Sequence, residues 1–352
     1  MIKKSTVKEA KLYVKLGRSS VKCLVCERKC VIPENDKGFC KTRLNIDGKL
    51  YTLTYGDLSA IESRPIEIKP FFHFWPGSTA ITISTWSCNF PCPWCQNWYI
   101  SKIEPNPLEA KFIAPEKVVN MALEKGDQGT CVSFNEPLML FEYSIDLFNH
   151  ARSKGLYNTY VSNGYMTLDA LKCLIDAGLD GLKIDIKGNP DTYRHLLNAD
   201  IDVCWRNAKY ALDNGVHVEI VCLLITDLND DEASIRYVVE EHLRRLGENI
   251  PLHFTRYYPA YKYRKPPTRI GKLEYAYKLA KKEGVLFPYL GNVPGHPYEN
   301  TYCPNCGKPI IKRYGYAIRD YKITPDGKCM YCNFKIPIRG KYFSRRNFTL
   351  FI

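Results

Sequence analysis

Hydrophobic positions between residues 79 and 290 fall into short apolar runs that alternate with amphipathic segments of helical period. The runs are rich in Val, Ile and aromatic residues, which is typical of buried strands. Strands that alternate with helices predict a parallel sheet, and right-handed crossovers favour closure into a full or partial barrel. Seven strands are predicted, over residues 79–85, 130–134, 157–162, 180–188, 216–225, 250–258 and 285–290.

The predicted strand "GLKIDIKG" carries its charges on one side. Side chains alternate along a strand, so Lys183, Asp185 and Lys187 share one face and three apolar residues share the other. A central parallel strand is normally apolar on both faces. The charged face belongs either to an edge strand facing water or to a polar barrel lumen. The flanking helical segments favour the lumen.

Fifteen cysteines are unevenly distributed, and eleven of them form three groups. The start of the chain lacks the apolar core of a secretion signal, and no apolar run is long enough to cross a bilayer. We therefore expect a cytoplasmic protein whose clustered cysteines bind metal rather than form disulfides. The groups are Cys23, Cys26, Cys30 and Cys40; Cys88, Cys92 and Cys95; and Cys303, Cys306, Cys329 and Cys332.

The two outer groups each supply four thiolates. The C-terminal group, "CPNC" and "CMYC", has the spacing of a zinc ribbon, although rubredoxin-type iron uses the same ligands. Four protein ligands leave no open position, so this site is predicted to be structural. The N-terminal group, "CLVCERKC" with Cys40, fits either zinc or a second iron–sulfur cluster.

The central group, "CNFPCPWC", has three cysteines and no fourth beside them. A ferredoxin-type cube needs four thiolates, and a three-cysteine zinc site needs a nearby histidine, which the loop lacks. Three thiolates on Cys88, Cys92 and Cys95 can hold three irons of a [4Fe–4S] cluster. The fourth iron is then open to a ligand that is also the reagent.

This loop resembles that of the radical S-adenosylmethionine (SAM) enzymes, with Trp94 as the aromatic residue before the last cysteine. The resemblance implies that SAM binds the open iron and that reductive cleavage of SAM yields a 5′-deoxyadenosyl radical, which abstracts hydrogen from a substrate. Other matches are with the pyruvate formate-lyase activating enzyme-like branch. They imply SAM contacts from Asn135 and Glu136 of "FNEP", Ser162 and Asn163 of "SNG", Asp185 and Lys187 of "DIK", and His253 of "PLHFTRYYP".

Almost the whole chain, including "PIEIKPFFHFWPGS" and "GNVPGHPYENTYCPNC", resembles the radical SAM member of the AmmeMemoRadiSam group. The expected fold is α/β, with a partial (β/α)6 TIM-like barrel at 76–292. It is flanked by an N-terminal four-cysteine module at 1–75 and a zinc-ribbon or rubredoxin-like module at 293–352. The group's name implies Memo-like and AMMECR-like partner proteins.

The net charge of +13 could indicate a nucleic-acid binder, but its dispersed lysines favour an ordinary solvated surface. The resemblance to the AmmeMemoRadiSam group and its associated proteins implies, as the first hypothesis, an enzyme that modifies a peptide or protein. The alternatives are a glycyl-radical enzyme activase, an RNA-modifying radical enzyme and a non-enzymatic iron–sulfur docking protein. We expect a small ferredoxin or flavodoxin as electron donor and no membrane association.

Overall fold

Six short strands form the N-terminal part of the protein, in a computed structural model that describes residues 5–17 and 19–344. They form two antiparallel sheets, ordered β1–β6–β5 and β2–β3–β4. Strands of two to four residues are too short to be stable alone, so this module depends on packing and on what its cysteines bind. The strands are β1 (Lys8–Glu9), β2 (Tyr13–Leu16), β3 (Ser20–Cys23), β4 (Val31–Ile32), β5 (Arg43–Ile46) and β6 (Lys49–Thr52).

An eight-stranded sheet forms the centre of the molecule, in the order β14–β13–β12–β11–β10–β9–β8–β7. β8 to β14 run parallel, and β7 pairs antiparallel with β8 at one edge. All seven predicted strands are present, as β8 to β14, and β7 is an additional strand. The bounds of the eight strands are β7 (Ala60–Pro65), β8 (Thr79–Ser84), β9 (Gly129–Val132), β10 (Tyr157–Ser162), β11 (Gly181–Ile186), β12 (His217–Leu224), β13 (Leu252–Arg256) and β14 (Pro288–Gly291).

Six of the helices connect consecutive parallel strands, which gives six β/α units followed by a seventh strand. The two outer strands, β7 and β14, do not pair with each other, as expected of an open barrel. The α/β class with a parallel sheet is confirmed. The helices are α1 (Trp98–Ser101), α2 (Pro115–Glu124), α3 (Phe141–Ser153), α4 (Leu168–Asp176), α5 (Pro190–Thr192), α6 (Ile201–Asp213), α7 (Glu232–Leu246) and α8 (Ile270–Glu283).

Helix boundaries follow local sequence signals. Pro115 is the first residue of α2, where its missing N–H has no partner to lose. Thr167 caps α4, accepting a hydrogen bond from the Ala170 N–H at 3.1 Å. None of the helices in the described part of the chain has the length and apolar character that a bilayer span requires.

A third antiparallel sheet packs against the amino end of the barrel. It contains β15 (Thr301–Tyr302), β16 (Pro309–Tyr314) and β17 (Ala317–Tyr321). Arg313 of β16 donates from Nη2 to the Phe72 carbonyl at 3.0 Å, and its guanidinium lies 4.1 Å from the centre of the Phe72 ring. This contact joins the C-terminal module to the segment that leads into β8.

The module boundaries at 75 and 292 stay predictions. Strand β7 (Ala60–Pro65) lies within the predicted N-terminal module, yet it belongs to the barrel sheet. Residues 1–4 and 18 of the predicted N-terminal module, and residues 345–352 of the predicted C-terminal module, lie outside the described residues.

Candidate active site

Two loops at the carboxyl end of the sheet are held in costly backbone conformations. Ser87, after β8, and Phe134, after β9, both have φ of 70°, a left-handed region that non-glycine residues rarely adopt. Asn135 donates from Nδ2 to the Ser87 carbonyl at 2.7 Å, and Asn97 donates from Nδ2 to the Phe134 carbonyl at 2.6 Å. These cross-links fix the cysteine loop against the "FNEP" loop. The amide of Asn135 holds this loop, and its contact with SAM stays a prediction.

The cysteines of this loop surround a cavity of about 90 Å³. Cys92 is buried, and Cys88 and Cys95 are half-buried. Burial raises the pKa of the Cys92 thiol, whereas the charges of Lys187 and Lys102 lower it. Three convergent thiols beside cations fit the donor set of an iron–sulfur cluster. The lining also includes Phe90, Ser101, Phe134, Asn135, Glu136, Val161, Asn163 and Asp185.

Glu136 is a buried carboxyl group in the wall of this cavity. It accepts hydrogen bonds from the Ser162 hydroxyl at 2.8 Å and from the Asn163 N–H at 2.9 Å. Burial raises the pKa of Glu136 to about 7, and these hydrogen bonds oppose the rise. Ser162 orients Glu136 without lining the cavity itself, whereas Asn163 lines it.

The charged face of β11 looks into the lumen, as predicted. Lys183, Asp185 and Lys187 all line a second cavity of about 310 Å³ above the cysteines. Lys183 Nζ lies 2.5 Å and Lys187 Nζ 3.9 Å from the Asp185 carboxylate. Burial alone would raise the pKa of Asp185, but the two lysines lower it. The predicted Trp94 lines this second cavity as well.

Lys69 is a cavity residue that was not among the predicted site residues. It lies before β8 and lines the second cavity, with Nζ 4.0 Å from the centre of the Phe134 ring. Burial lowers the pKa of Lys69 to about 8. Lys69 could not be predicted from a motif, because a single lysine in an aromatic segment has no characteristic spacing to other polar residues.

His253 does not line either of the two cavities, and its contact with SAM stays a prediction. Its side chain is fully buried, whereas Thr255, two residues further along β13, lines the larger cavity. The Nε2 atom of His253 lies 2.7 Å from the Glu219 carboxylate, deeper in the barrel. His253 and Thr255 are two residues apart on β13, so both face the lumen. His253, however, is bound to Glu219 one layer below the cavity.

The C-terminal cysteines form a tight tetrad. Cys303 Sγ lies 3.5 Å from Cys332 Sγ, and Cys306 Sγ lies 3.8 Å from Cys329 Sγ. All four sulfurs lie within 4.8 Å of one another. Zinc–sulfur bonds of about 2.3 Å place tetrahedral thiolates about 3.8 Å apart, so one metal ion fits here. The geometry suits zinc and rubredoxin-type iron equally.

The N-terminal cysteines converge differently. Cys23, Cys26, Cys30 and Cys40 line a small cavity of about 10 Å³. Over residues 5–17 and 19–344, the C-terminal tetrad is the one set of His, Cys, Asp or Glu side chains whose ligand atoms are gathered closely enough to hold a single metal ion.

Comparison with known proteins identifies the superfamily to which the chain belongs. Residues 82–238 match the model of the Radical SAM superfamily, and the chain belongs to that superfamily. It is therefore a SAM-dependent enzyme, with a [4Fe–4S] cluster and SAM as cofactors. An uncharacterised protein of Methanocaldococcus jannaschii is 38% identical over 334 residues, which cover 94% of this chain and 99% of the relative.

Solved structures resemble parts of the chain at low identity. A domain of the pyruvate-formate lyase-activating enzyme from Bacteroides vulgatus matches at 17% identity and a TM-score of 0.40, covering 47% of this chain and 99% of that domain. SuiB of Streptococcus suis, bound to its precursor peptide SuiA, matches at 13% identity and a TM-score of 0.48. The match covers 64% of this chain and 51% of SuiB.

Proposed function

We propose that this radical SAM enzyme acts on a peptide or protein that docks at the mouth of the larger cavity. The cluster, when bound and reduced, supplies the electron that cleaves SAM. The observation that carries the choice of substrate is a rim of exposed aromatic side chains around a cavity of modest size.

The chain's own residues divide the work of binding. Cys88, Cys92 and Cys95 would hold three irons and leave the fourth open. A zwitterionic amino acid needs a carboxylate for its ammonium group and a cation for its carboxylate. Glu136 and Lys187, which line the cysteine cavity, supply that pair, and Asp185 holds Lys187 in place.

Cavity size favours a substrate presented from outside. At about 310 Å³ the cavity lies at the lower end of the range for small-molecule sites, and SAM must share it. Little room then remains for a separate small substrate. A side chain that reaches in from a docked partner fits this space better.

The rim supplies a docking surface. Trp98 follows the cavity residue Asn97; it is 45% exposed and stacks on Tyr261 with ring centres 5.7 Å apart. Tyr258 is also exposed, at 41%, and its hydroxyl donates to the carbonyl of the cavity residue Asn292 at 3.3 Å. Exposed aromatic residues are enriched where proteins bind other proteins.

Candidate partners come from the resemblance to the AmmeMemoRadiSam group. We propose Memo-like and AMMECR-like proteins, or a peptide they present, as the first to test. A small ferredoxin or flavodoxin is the proposed electron donor, and the net charge of +13 favours an acidic one.

The test measures 5′-deoxyadenosine from anaerobically purified enzyme with SAM and a strong reductant, with each candidate partner added in turn. We expect one polypeptide to raise the yield and to change mass in step with it. Stimulation by RNA alone, with binding that falls steeply with salt, would contradict the proposal.

A rim variant separates docking from SAM cleavage. Trp98→Ala should lower partner-stimulated cleavage and leave the partner-free rate unchanged, because Trp98 lines neither cavity. Tyr316→Ala, a 48% exposed aromatic residue on the C-terminal module, is the matched control. Equal effects of the two variants would argue against the rim.

A further inference from the structure

We propose that Cys23, Cys26, Cys30 and Cys40 hold a second iron–sulfur cluster of the four-iron class rather than a zinc ion. Their spacing along the chain permits both. Three features of the folded module favour the cluster: the cavity that the thiols share, two unpaired donors in its wall, and the contacts with the SAM-binding loop.

The four thiols share one cavity. Cys23, Cys26, Cys30 and Cys40 all line it, so they face each other. Cys88, Cys92 and Cys95, which belong to the superfamily's cluster loop, likewise line one common cavity. Among the described residues, the C-terminal tetrad is the one set whose ligand atoms are already gathered around a single-ion position. The N-terminal group therefore shares with the cluster loop a common cavity without that single-ion arrangement.

Two donors in the cavity wall have no acceptor. Arg43 Nη2 and Asn89 Nδ2 are buried, and neither finds a hydrogen-bond partner among the described residues. Both residues line the four-cysteine cavity, and Arg43 is only 2% exposed. The other terminal nitrogen of Arg43 is paired with Glu142 at 2.7 Å, so one face of the guanidinium remains unpaired.

An unpaired buried donor loses its hydrogen bonds to water without replacement, so two in one wall indicate a missing acceptor. A four-iron cluster offers sulfide sulfurs in addition to the thiolates, and N–H groups that bond to these sulfurs are a normal part of such sites. A zinc ion would add no acceptor to the four thiolates. The donors therefore favour the cluster.

The module is built onto the SAM-binding loop. Arg28, which also lines the cavity, donates from Nε to the Asn89 carbonyl at 2.5 Å. The Ser87 hydroxyl donates to the Cys40 carbonyl at 2.5 Å. Both contacts are to neighbours of Cys88, one on each side. The second site is therefore enclosed by the barrel loop and is not a zinc knuckle on the surface.

Metal analysis of the full-length protein, purified without oxygen, tests the proposal. We expect about eight irons and as many sulfides per chain, with the C-terminal tetrad as the only possible zinc site. The Cys30→Ala/Cys40→Ala double variant should lose about half of the iron and none of the zinc. Cys173→Ala, on the outer side of α4, should leave both contents unchanged.

A second variant keeps the test decisive if the first does not fold. Cys92→Ala should retain about half of the iron, in a cluster whose electron paramagnetic resonance signal does not respond to SAM. Zinc at two equivalents and iron at background in Cys92→Ala would overturn the second cluster. That result would leave the proposed substrate untouched, because these measurements do not depend on SAM cleavage.

Discussion

The two ends of the barrel lumen are both lined with charge, yet one is a cavity and the other is filled. At the carboxyl end Lys69, Lys183, Asp185 and Lys187 surround about 310 Å³ of space. At the amino end Glu219 is fully buried among aromatic and imidazole rings. Both sets come from lumen-facing positions on strands or the segment before them, so side-chain alternation alone does not distinguish them.

Hydrogen bonding does distinguish them. The Glu219 carboxylate accepts from the backbone N–H groups of Phe72 at 3.0 Å and His73 at 2.8 Å, and it lies 2.9 Å from the His217 ring and 2.7 Å from the His253 ring. Every strong acceptor position on this carboxylate is used within the protein. The amino end therefore stabilises the fold, and the carboxyl end is left to bind ligands, as is general for barrels of this type.

The largest predicted effect lies at the carboxyl end. Cys92→Ala removes one of three cluster ligands and should abolish SAM cleavage, whereas the metal of the C-terminal tetrad should remain. The assay is 5′-deoxyadenosine release together with metal content per chain. Cys173→Ala is the matched control, and cleavage at the wild-type rate in Cys92→Ala would refute the cluster assignment.

The next effect lies at the amino end. Glu219→Gln keeps the shape but replaces an acceptor oxygen with an amide, leaving at least one buried partner unpaired. We expect a loss of about 3–5 kcal/mol in the free energy of unfolding, measured by denaturant titration. Glu232→Gln, which disrupts an exposed ion pair with Arg236 on α7, should change the free energy of unfolding little, because water and salt screen exposed pairs. If the two variants are equally stable, Glu219 does not hold the amino end together.

Much of this contrast could be predicted from the sequence. Lys183, Asp185 and Lys187 were placed in the lumen by alternation, and the seven parallel strands by their apolar runs. β7 was missed because it is an edge strand with every residue half-buried, ending at Pro65, so it shows no apolar run. The place of His253 depended on Glu219, a partner 34 residues away, and no local pattern contains such a contact.

The pH dependence of stability should also come from the amino end. Burial lowers the pKa of His73 to about 3. The charge of Arg313 lowers this pKa further, whereas the charge of Glu219 opposes the decrease. In the unfolded chain this histidine titrates near 6.5, so the unfolded state binds a proton that the native state refuses below that pH. Stability should therefore fall as pH drops from about 6.5 towards 3, by up to about 1.4 kcal/mol per pH unit for this group.

The comparison of His73→Gln with His150→Gln isolates that contribution. His150 is a half-buried residue of α3 that lies 2.9 Å from Glu116, far from this cluster in the chain, and its replacement serves as the control. Unfolding free energies measured at several pH values should show a flatter slope only for His73→Gln. Parallel slopes in the two variants would mean that His73 does not titrate on unfolding.

The smallest predicted effect returns to the cavity and concerns its substrate. Burial lowers the pKa of Lys69 to about 8. The side chain is therefore positively charged at neutral pH, and it loses this charge as the pH rises above about 8. If the partner presents an acidic group, its KM should rise between pH 7 and 9 in the wild-type enzyme. Lys69→Met should raise KM at pH 7 by roughly fivefold, or about 1 kcal/mol, and remove this pH dependence. Lys278→Met, on the exposed side of α8, should match the wild type at both pH values. An unchanged pH profile in Lys69→Met would show that the lysine does not contact the substrate, and the cavity's contrast with the amino end would then rest on the β11 charges alone.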